Sequence, residues 1–226
     1  MLIVLEGLDG AGKSTQVKML DAYLQSAGQK TKFLHFPRYE APIYGDLIAR
    51  FLRGDFGGND AVHPQLVALL YSLDRIDAAP TIKSWLDEGY CVILDRYVYS
   101  NIAFQCAKLP DGEQSDQLRE WIFNYEYTVS GIPRPDFNIF LDVPINFVDR
   151  QLKHSRSGSD RGYLEGKSDI HEASIEFQKN VRKIYLRQCE LDADFIRIDC
   201  ADADGDILPA QTIFNDLKHI ISQRIK

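Results

Sequence analysis

Residues 2–15 read Leu2-Ile-Val-Leu-Glu-Gly7-Leu-Asp-Gly-Ala-Gly12-Lys-Ser-Thr15. An apolar run, Leu2 to Leu5, leads into Gly7 to Ser14, which fit G-x-x-x-x-G-K-[ST]. Val17, Leu20, Leu24 and Ala27 then recur at helical spacing. The pattern predicts strand, glycine-rich loop and helix, the context in which this motif cradles phosphate. The glycines open conformations that a Cβ resists. The backbone N–H groups then converge on an anion at the positive end of the new helix. Gly7, Gly10, Ala11, Gly12, Lys13, Ser14 and Thr15 are therefore candidate nucleotide-phosphate residues. Lys13 is placed to reach the β- and γ-phosphates, and the Ser14 hydroxyl to ligate Mg²⁺.

Length and composition suit a single α/β domain with a large core: 226 residues, 45% of them hydrophobic. The net charge of −7 and the lack of a basic stripe argue against a nucleic-acid polymer as partner. Cys91, Cys106, Cys189 and Cys200 are scattered without C-x-x-C spacing, which predicts reduced thiols and a cytoplasmic protein. No signal peptide or membrane-spanning run is expected.

Further along, Thr31–Phe36 reads as a second strand, and Phe36-Pro-Arg38 follows at its carboxyl end, where open α/β sheets carry ligands. Taken alone, Arg38 reads slightly better as a solvated loop charge. Ile43, Leu47, Ile48, Phe51 and Leu52 predict a short helix. A long one runs from about Pro64 to Glu88, with Leu66, Leu69, Leu70, Leu73 and Ile76 on its inner face and a kink or division at Pro80. Tyr71 and Arg75, four apart, project together. Spacing alone favours a core tyrosine with a surface arginine over a base-stacking pair.

Cys91–Leu94 is an apolar run ending in Asp95-Arg96-Tyr97, which predicts a buried parallel strand closing on an acid that can hold the Mg²⁺ shell. Arg96 suits a place between two phosphates. Ser100, Asn101 and Phe104 follow on a helix entering the same site. Trp121, Ile122 and Tyr125 suggest a packing face, Phe137–Leu141 a fourth strand, and Phe195–Ile198 a fifth. His154–Lys167 has no hydrophobic period and reads as a mobile lid too polar to pack (154–168 within a single 1–226 domain), with Arg156 and Arg161 as candidates to close on ATP. Asp169-Ile-His-Glu172 is expected to open the next helix, and His171 has no metal-ligand partner at useful spacing. Asp202-Ala-Asp-Gly205 lacks the ligands of a calcium loop and reads as a turn.

Together these blocks resemble the thymidylate kinase family along nearly the whole chain. The residues that carry the resemblance are Glu6-Gly-Leu-Asp-Gly-Ala-Gly-Lys-Ser-Thr15, Phe36-Pro-Arg38, Leu70-Tyr-Ser-Leu-Asp-Arg75, Asp95-Arg-Tyr-Val-Tyr-Ser-Asn101, Leu141-Asp-Val-Pro144 and Asp169-Ile-His-Glu172. The resemblance implies a three-layer P-loop nucleoside monophosphate kinase fold with a five-stranded, mostly parallel sheet. It implies transfer of the γ-phosphoryl of Mg·ATP to dTMP, and a homodimer. It places Asp9 on the sugar 3′-hydroxyl, Arg38 and Arg96 on the acceptor phosphate, Tyr71 and Arg75 on thymine, and Asn101 and Phe104 around base and sugar. With Gly10 inside the loop where some members carry arginine, the chain resembles the class whose catalytic arginine comes from the lid. A kinase of another nucleoside or nucleoside monophosphate is the alternative. A nucleotide switch would need an N-K-x-D, which is absent, and a switch aspartate in D-x-x-G; Asp55 and Asp202 match that pattern only by chance placement in turns.

Overall fold

The computed structural model describes residues 1–153, 159–167, 169–172 and 174–222, the side chains of 159–161 excepted. Five strands, β1 (Leu2–Glu6), β2 (Thr31–His35), β3 (Cys91–Asp95), β4 (Phe137–Asp142) and β5 (Phe195–Asp199), form one sheet in the order β2-β3-β1-β4-β5. Every pairing is parallel, for example Val4 opposite Leu94 and Asn138. β1, β3 and β4 are buried along their whole length, whereas β2 and β5 are half-exposed edges. That is why β1 and β3 are continuous apolar runs up to their closing acids, β4 is apolar but for Asn138 before Asp142, and β2 alternates only weakly.

Among the described residues, eight α-helices accompany the sheet: α1 (Lys13–Ser26), α2 (Tyr44–Leu52), α3 (Pro64–Asp87), α4 (Val98–Cys106), α5 (Glu113–Phe123), α6 (Ile145–Lys153), α7 (Ile175–Leu191) and α8 (Ala210–Ser222). α1 and α8 pack together in one layer, and α4 packs between α3 and α7 in the other. α1 ends at Gly28, in the left-handed region (φ 79°), whose N–H returns to the Gln25 carbonyl.

Several expectations need correction. α3 runs undivided through Pro80, whose side is exposed to solvent. Its buried stripe is Val67, Ala68, Ser72, Asp74, Arg75, Ala78, Ala79 and Ile82, while Leu66 stands 61% exposed. The polar members are buried because each has a polar or charged partner, as described below. Ile43 lies outside α2, exposed and at φ 68°. Asp169–Glu172 is a turn rather than a helix start, because Ser174 caps α7 by accepting from the Phe177 N–H at 3.3 Å. The segment expected to be too polar to pack does pack in its described half. Ser159–Leu164 forms a 3₁₀ turn, Leu164 is buried, and Tyr163 joins Ile48, Phe51, Leu52 and Val67 in a second small core.

Candidate active site

The loops leaving β1, β2 and β3 open into one cleft of about 1280 Å³. A pocket for one small ligand is typically about 300–1000 Å³, so this cleft suits two substrates. It is lined at one end by Gly10–Thr15 and at the other by Tyr71, Arg75, Asn101, Phe104 and Gln105, with Arg38 and Arg96 between.

Gly12 caps α1 at φ 74°, a conformation that only glycine adopts cheaply, so the first N–H groups of α1 face the cleft. Lys13 folds back, donating to the Leu8 carbonyl at 3.0 Å and the Gly7 carbonyl at 3.4 Å, and stands 3.9 Å from Asp95. Burial and the nearby Arg96 lower its ammonium to about 8, against the pull of Asp95, Asp9 and Glu6. Burial opposes the charge on Asp95 as well. Lys13, His35 and Arg96 outweigh it and hold that carboxyl down at about 2. The Asp95 Oδ1 accepts no hydrogen bond among the described residues.

Arg96 sits at φ 69°, a strained position for a side-chain-bearing residue, immediately after β3. Its Nη2 pairs with Asp9 at 2.5 Å, and its Nη1 donates to the Gly7 carbonyl at 2.8 Å and to Ser100 Oγ at 3.1 Å. One guanidinium therefore ties the glycine-rich loop to α4, lying 5.1 Å over the Phe104 ring. Asp9 also accepts from the Gln178 side chain at 2.9 Å. Ser100 is held from behind by Glu6. This fully buried carboxylate accepts from the N–H groups of Tyr97 and Ser100, from the Ser100 hydroxyl, and from Tyr185 Oη at 3.2 Å. β1 thus caps α4 from outside that helix, and burial raises the Glu6 carboxyl above its ordinary value.

Arg38 is fixed against α3. Its Nε pairs with Asp74 at 2.8 Å and its Nη2 with Asp77 at 2.6 Å, so it is an anchored cation rather than a solvated one. Gly45 permits this approach, since a Cβ there would fall 2.4 Å from the Arg38 carbonyl oxygen. Beside it, Tyr39 stacks on Tyr163 with ring centroids 3.7 Å apart. The Tyr163 hydroxyl donates to Asp169 at 2.8 Å.

At the far end, Tyr71 is half-buried on the cleft wall and Arg75 is only 2% exposed, the reverse of what spacing alone favours. Arg75 is buried because Glu126 meets it with two hydrogen bonds, of 2.5 and 2.7 Å. His171 is enclosed by Phe51, Phe104 and Phe177. Burial, with Lys108 nearby, pushes its pKa well below the ordinary value. Phe36 is fully buried and lines the cleft floor. Arg156 lies outside the described residues. Arg161 lies in the 3₁₀ turn, and its side chain is outside them.

The sequence reading gave no role to Glu6, Tyr39, Gln105, Glu126, Tyr163 or Gln178. Glu126 had a signal: Leu118, Ile122 and Glu126 are spaced four apart, so a glutamate continues an apolar stripe. Tyr163 and Gln178 had none, because their partners are 124 or more residues away: Tyr39 in one case, Asp9 in the other.

The thymidylate kinase family model matches residues 5–207. The thymidylate kinase of Mycobacterium tuberculosis is 35% identical over 186 residues, covering 82% of this chain and 84% of that one. That of Plasmodium falciparum is 33% identical over 184 residues, covering 81% and 74%. The solved structure of the Candida albicans thymidylate kinase superposes with a TM-score of 0.69 at 27% identity, covering 98% of this chain and 91% of that one. With a family match along most of its length and a parallel sheet that sets the family's motifs around one cleft, this chain belongs to the thymidylate kinase family.

Proposed function

We propose that the protein transfers the γ-phosphoryl group of Mg·ATP to dTMP, giving ADP and dTDP. The observation that carries this reading is the single cleft that joins a phosphate-binding loop to an aromatic and amide pocket, with two anchored arginines between them. ATP phosphates lie on Gly7, Gly10, Ala11, Gly12, Lys13, Ser14 and Thr15. The acceptor lies with its base on Tyr71, Arg75, Asn101 and Phe104, its sugar toward Asp9, and its phosphate toward Arg38, Arg96 and Ser100. Phe36 packs beneath it.

An acceptor phosphate oxygen forms the new bond to the γ-phosphorus as the bond to the β–γ bridging oxygen breaks and ADP leaves. That oxygen is already anionic at neutral pH, so no general base is required. Rate comes from holding the two phosphates in line and stabilising spread charge. Lys13 leaves the Leu8 carbonyl for the transferring group, and Arg96 carries the acceptor side. The family resemblance makes Arg156 or Arg161 the arginine that reaches the γ-phosphate. Asp95, held ionised and with an Oδ1 that accepts no hydrogen bond among the described residues, and the Ser14 hydroxyl would hold the magnesium ion. When bound, the ion neutralises charge on the β- and γ-phosphates. No described helix is long and apolar enough to cross a membrane. The described cysteines are all unpaired, which supports a cytoplasmic setting. The homodimer rests on the family resemblance.

The test is ADP release with Mg·ATP against dTMP, dUMP, UMP, dCMP, AMP and thymidine. Strong preference for dTMP is expected. Preference for thymidine or another monophosphate would keep the phosphate chemistry and overturn the acceptor site, and no acceptor-stimulated release would overturn both.

A further inference from the structure

α5 does not stop at Phe123. It passes into a π-helical turn, Asn124–Val129, an irregularity that concentrates at functional sites. Its product is Glu126, fully buried behind the acceptor end of the cleft. This carboxylate receives three side chains. Arg75 donates through Nε and Nη2. Ser72 Oγ stands at 2.9 Å, and the Asn101 Nδ2 donates at 3.1 Å. Asn101 Nδ2 also donates to the Ala68 carbonyl at 3.0 Å.

The consequence lies on the other edge of each group. Turning the Asn101 amide over would set Oδ1 against the Ala68 carbonyl and the Glu126 carboxylate, two acceptors with nothing to donate, while the Ser72 hydroxyl, 3.3 Å away, has its one proton engaged by those same two acceptors. The amide is therefore locked with Nδ2 inward, and its Oδ1 is left buried and without a hydrogen-bond partner among the described residues. Arg75 spends Nε and Nη2 on Glu126, and its Nη1 takes no partner among the described residues. The cleft wall thus offers one fixed acceptor and one fixed donor, both positioned by the same carboxylate. A 4-keto pyrimidine presents O4 as acceptor beside an N3–H donor, whereas a 4-amino pyrimidine presents N4 as donor beside an N3 acceptor. Only the first pattern matches.

We propose that Glu126 is a positioning residue that sets acceptor specificity, by fixing the Asn101 amide orientation and the Arg75 fork so that the site takes keto and rejects amino pyrimidine monophosphates. This rests on the acceptor reading above. A neutral amide at 126 can itself donate to Asn101 Oδ1, which releases the Asn101 amide to turn and loosens Arg75.

The experiment measures kcat and KM for dTMP, dUMP and dCMP, and KM for ATP, in the wild type, Glu126→Gln and Glu126→Asp. The expected result for Glu126→Gln is a fall of about tenfold or more in the dTMP-to-dCMP ratio of kcat/KM, seen chiefly in KM for dTMP. The dTMP-to-dUMP ratio and KM for ATP stay unchanged, because the two keto bases share this edge. Glu126→Asp keeps the charge and retains more of the ratio than Glu126→Gln. Should Glu126→Gln fail to fold, a shifted ratio in Glu126→Asp decides for the proposal and an unshifted one against it. Equal losses with dTMP and dCMP would mean a merely structural ion pair and overturn the proposal alone. A wild type that takes dCMP as readily as dTMP would overturn the acceptor reading, and the proposal with it.

Discussion

Asp169 is 6% exposed, accepts from Tyr163 Oη and from the His171 N–H, and faces the charge of Asp9. Burial, and then Asp9, raise its carboxyl from 3.8 to about 7. Folding therefore raises its proton affinity. Its contribution to stability is complete below about pH 4, falls as pH climbs through the folded value near 7, and is flat above that. At about 1.4 kcal/mol per tenfold in proton affinity, the loss is capped at about 4 kcal/mol. Relaxation and water entry bring the expected value to about 2–3 kcal/mol. Asp169→Asn removes the titration while keeping an oxygen for the His171 N–H. Urea unfolding of the wild type and Asp169→Asn without nucleotide, at intervals from pH 5 to pH 8.5, gives the difference directly. Because about a third of the loss falls below pH 5, the variant should gain on the wild type by about 1–2 kcal/mol between pH 5 and the alkaline end. A difference constant across that range would show that the carboxylate is already ionised at pH 5, and would refute the reasoning.

Lys13→Ala should slow turnover by about 10² or more in steady-state assays while leaving KM for dTMP within a few-fold, because the ammonium acts on developing charge. Near-normal turnover would exclude it from that role. Arg96→Ala should raise KM for the acceptor and lower kcat together, since one guanidinium serves both the acceptor phosphate and the loop at Gly7; unaltered kinetics would count against it. Ile43→Gly relieves a β-branched residue at φ 68° that buries little, and should raise stability by about 1 kcal/mol in urea titrations. A lowered midpoint would mean that its backbone is not strained.

The strands and the phosphate loop were legible because they depend on local pattern: apolar runs of four or five residues, glycines, and acids at strand ends. Arg75 was misplaced for the opposite reason. Periodicity sorts residues by polarity, and an arginine goes inside only when a distant carboxylate meets it, here 51 residues on. The face of α3 was misjudged by the same rule, since Asp74 and Ser72 are buried by Arg38 and Glu126. The start of α7 could have been read correctly, because Ser174 is an ordinary cap three residues before Phe177. The packing of Tyr163 was invisible because Tyr39, its stacking partner, comes from the loop after β2.

The long reach of α7 has a consequence for the order in which the molecule becomes complete. Tyr185 closes the polar cluster around Glu6 and Ser100, and Gln178 steadies Asp9, each across more than 160 residues of chain. During synthesis, the sheet from β2 to β4 and the helices between them are available well before either side chain leaves the ribosome. A nascent or truncated chain ending at α6 therefore holds the phosphate loop but lacks two of the groups that steady its acceptor side.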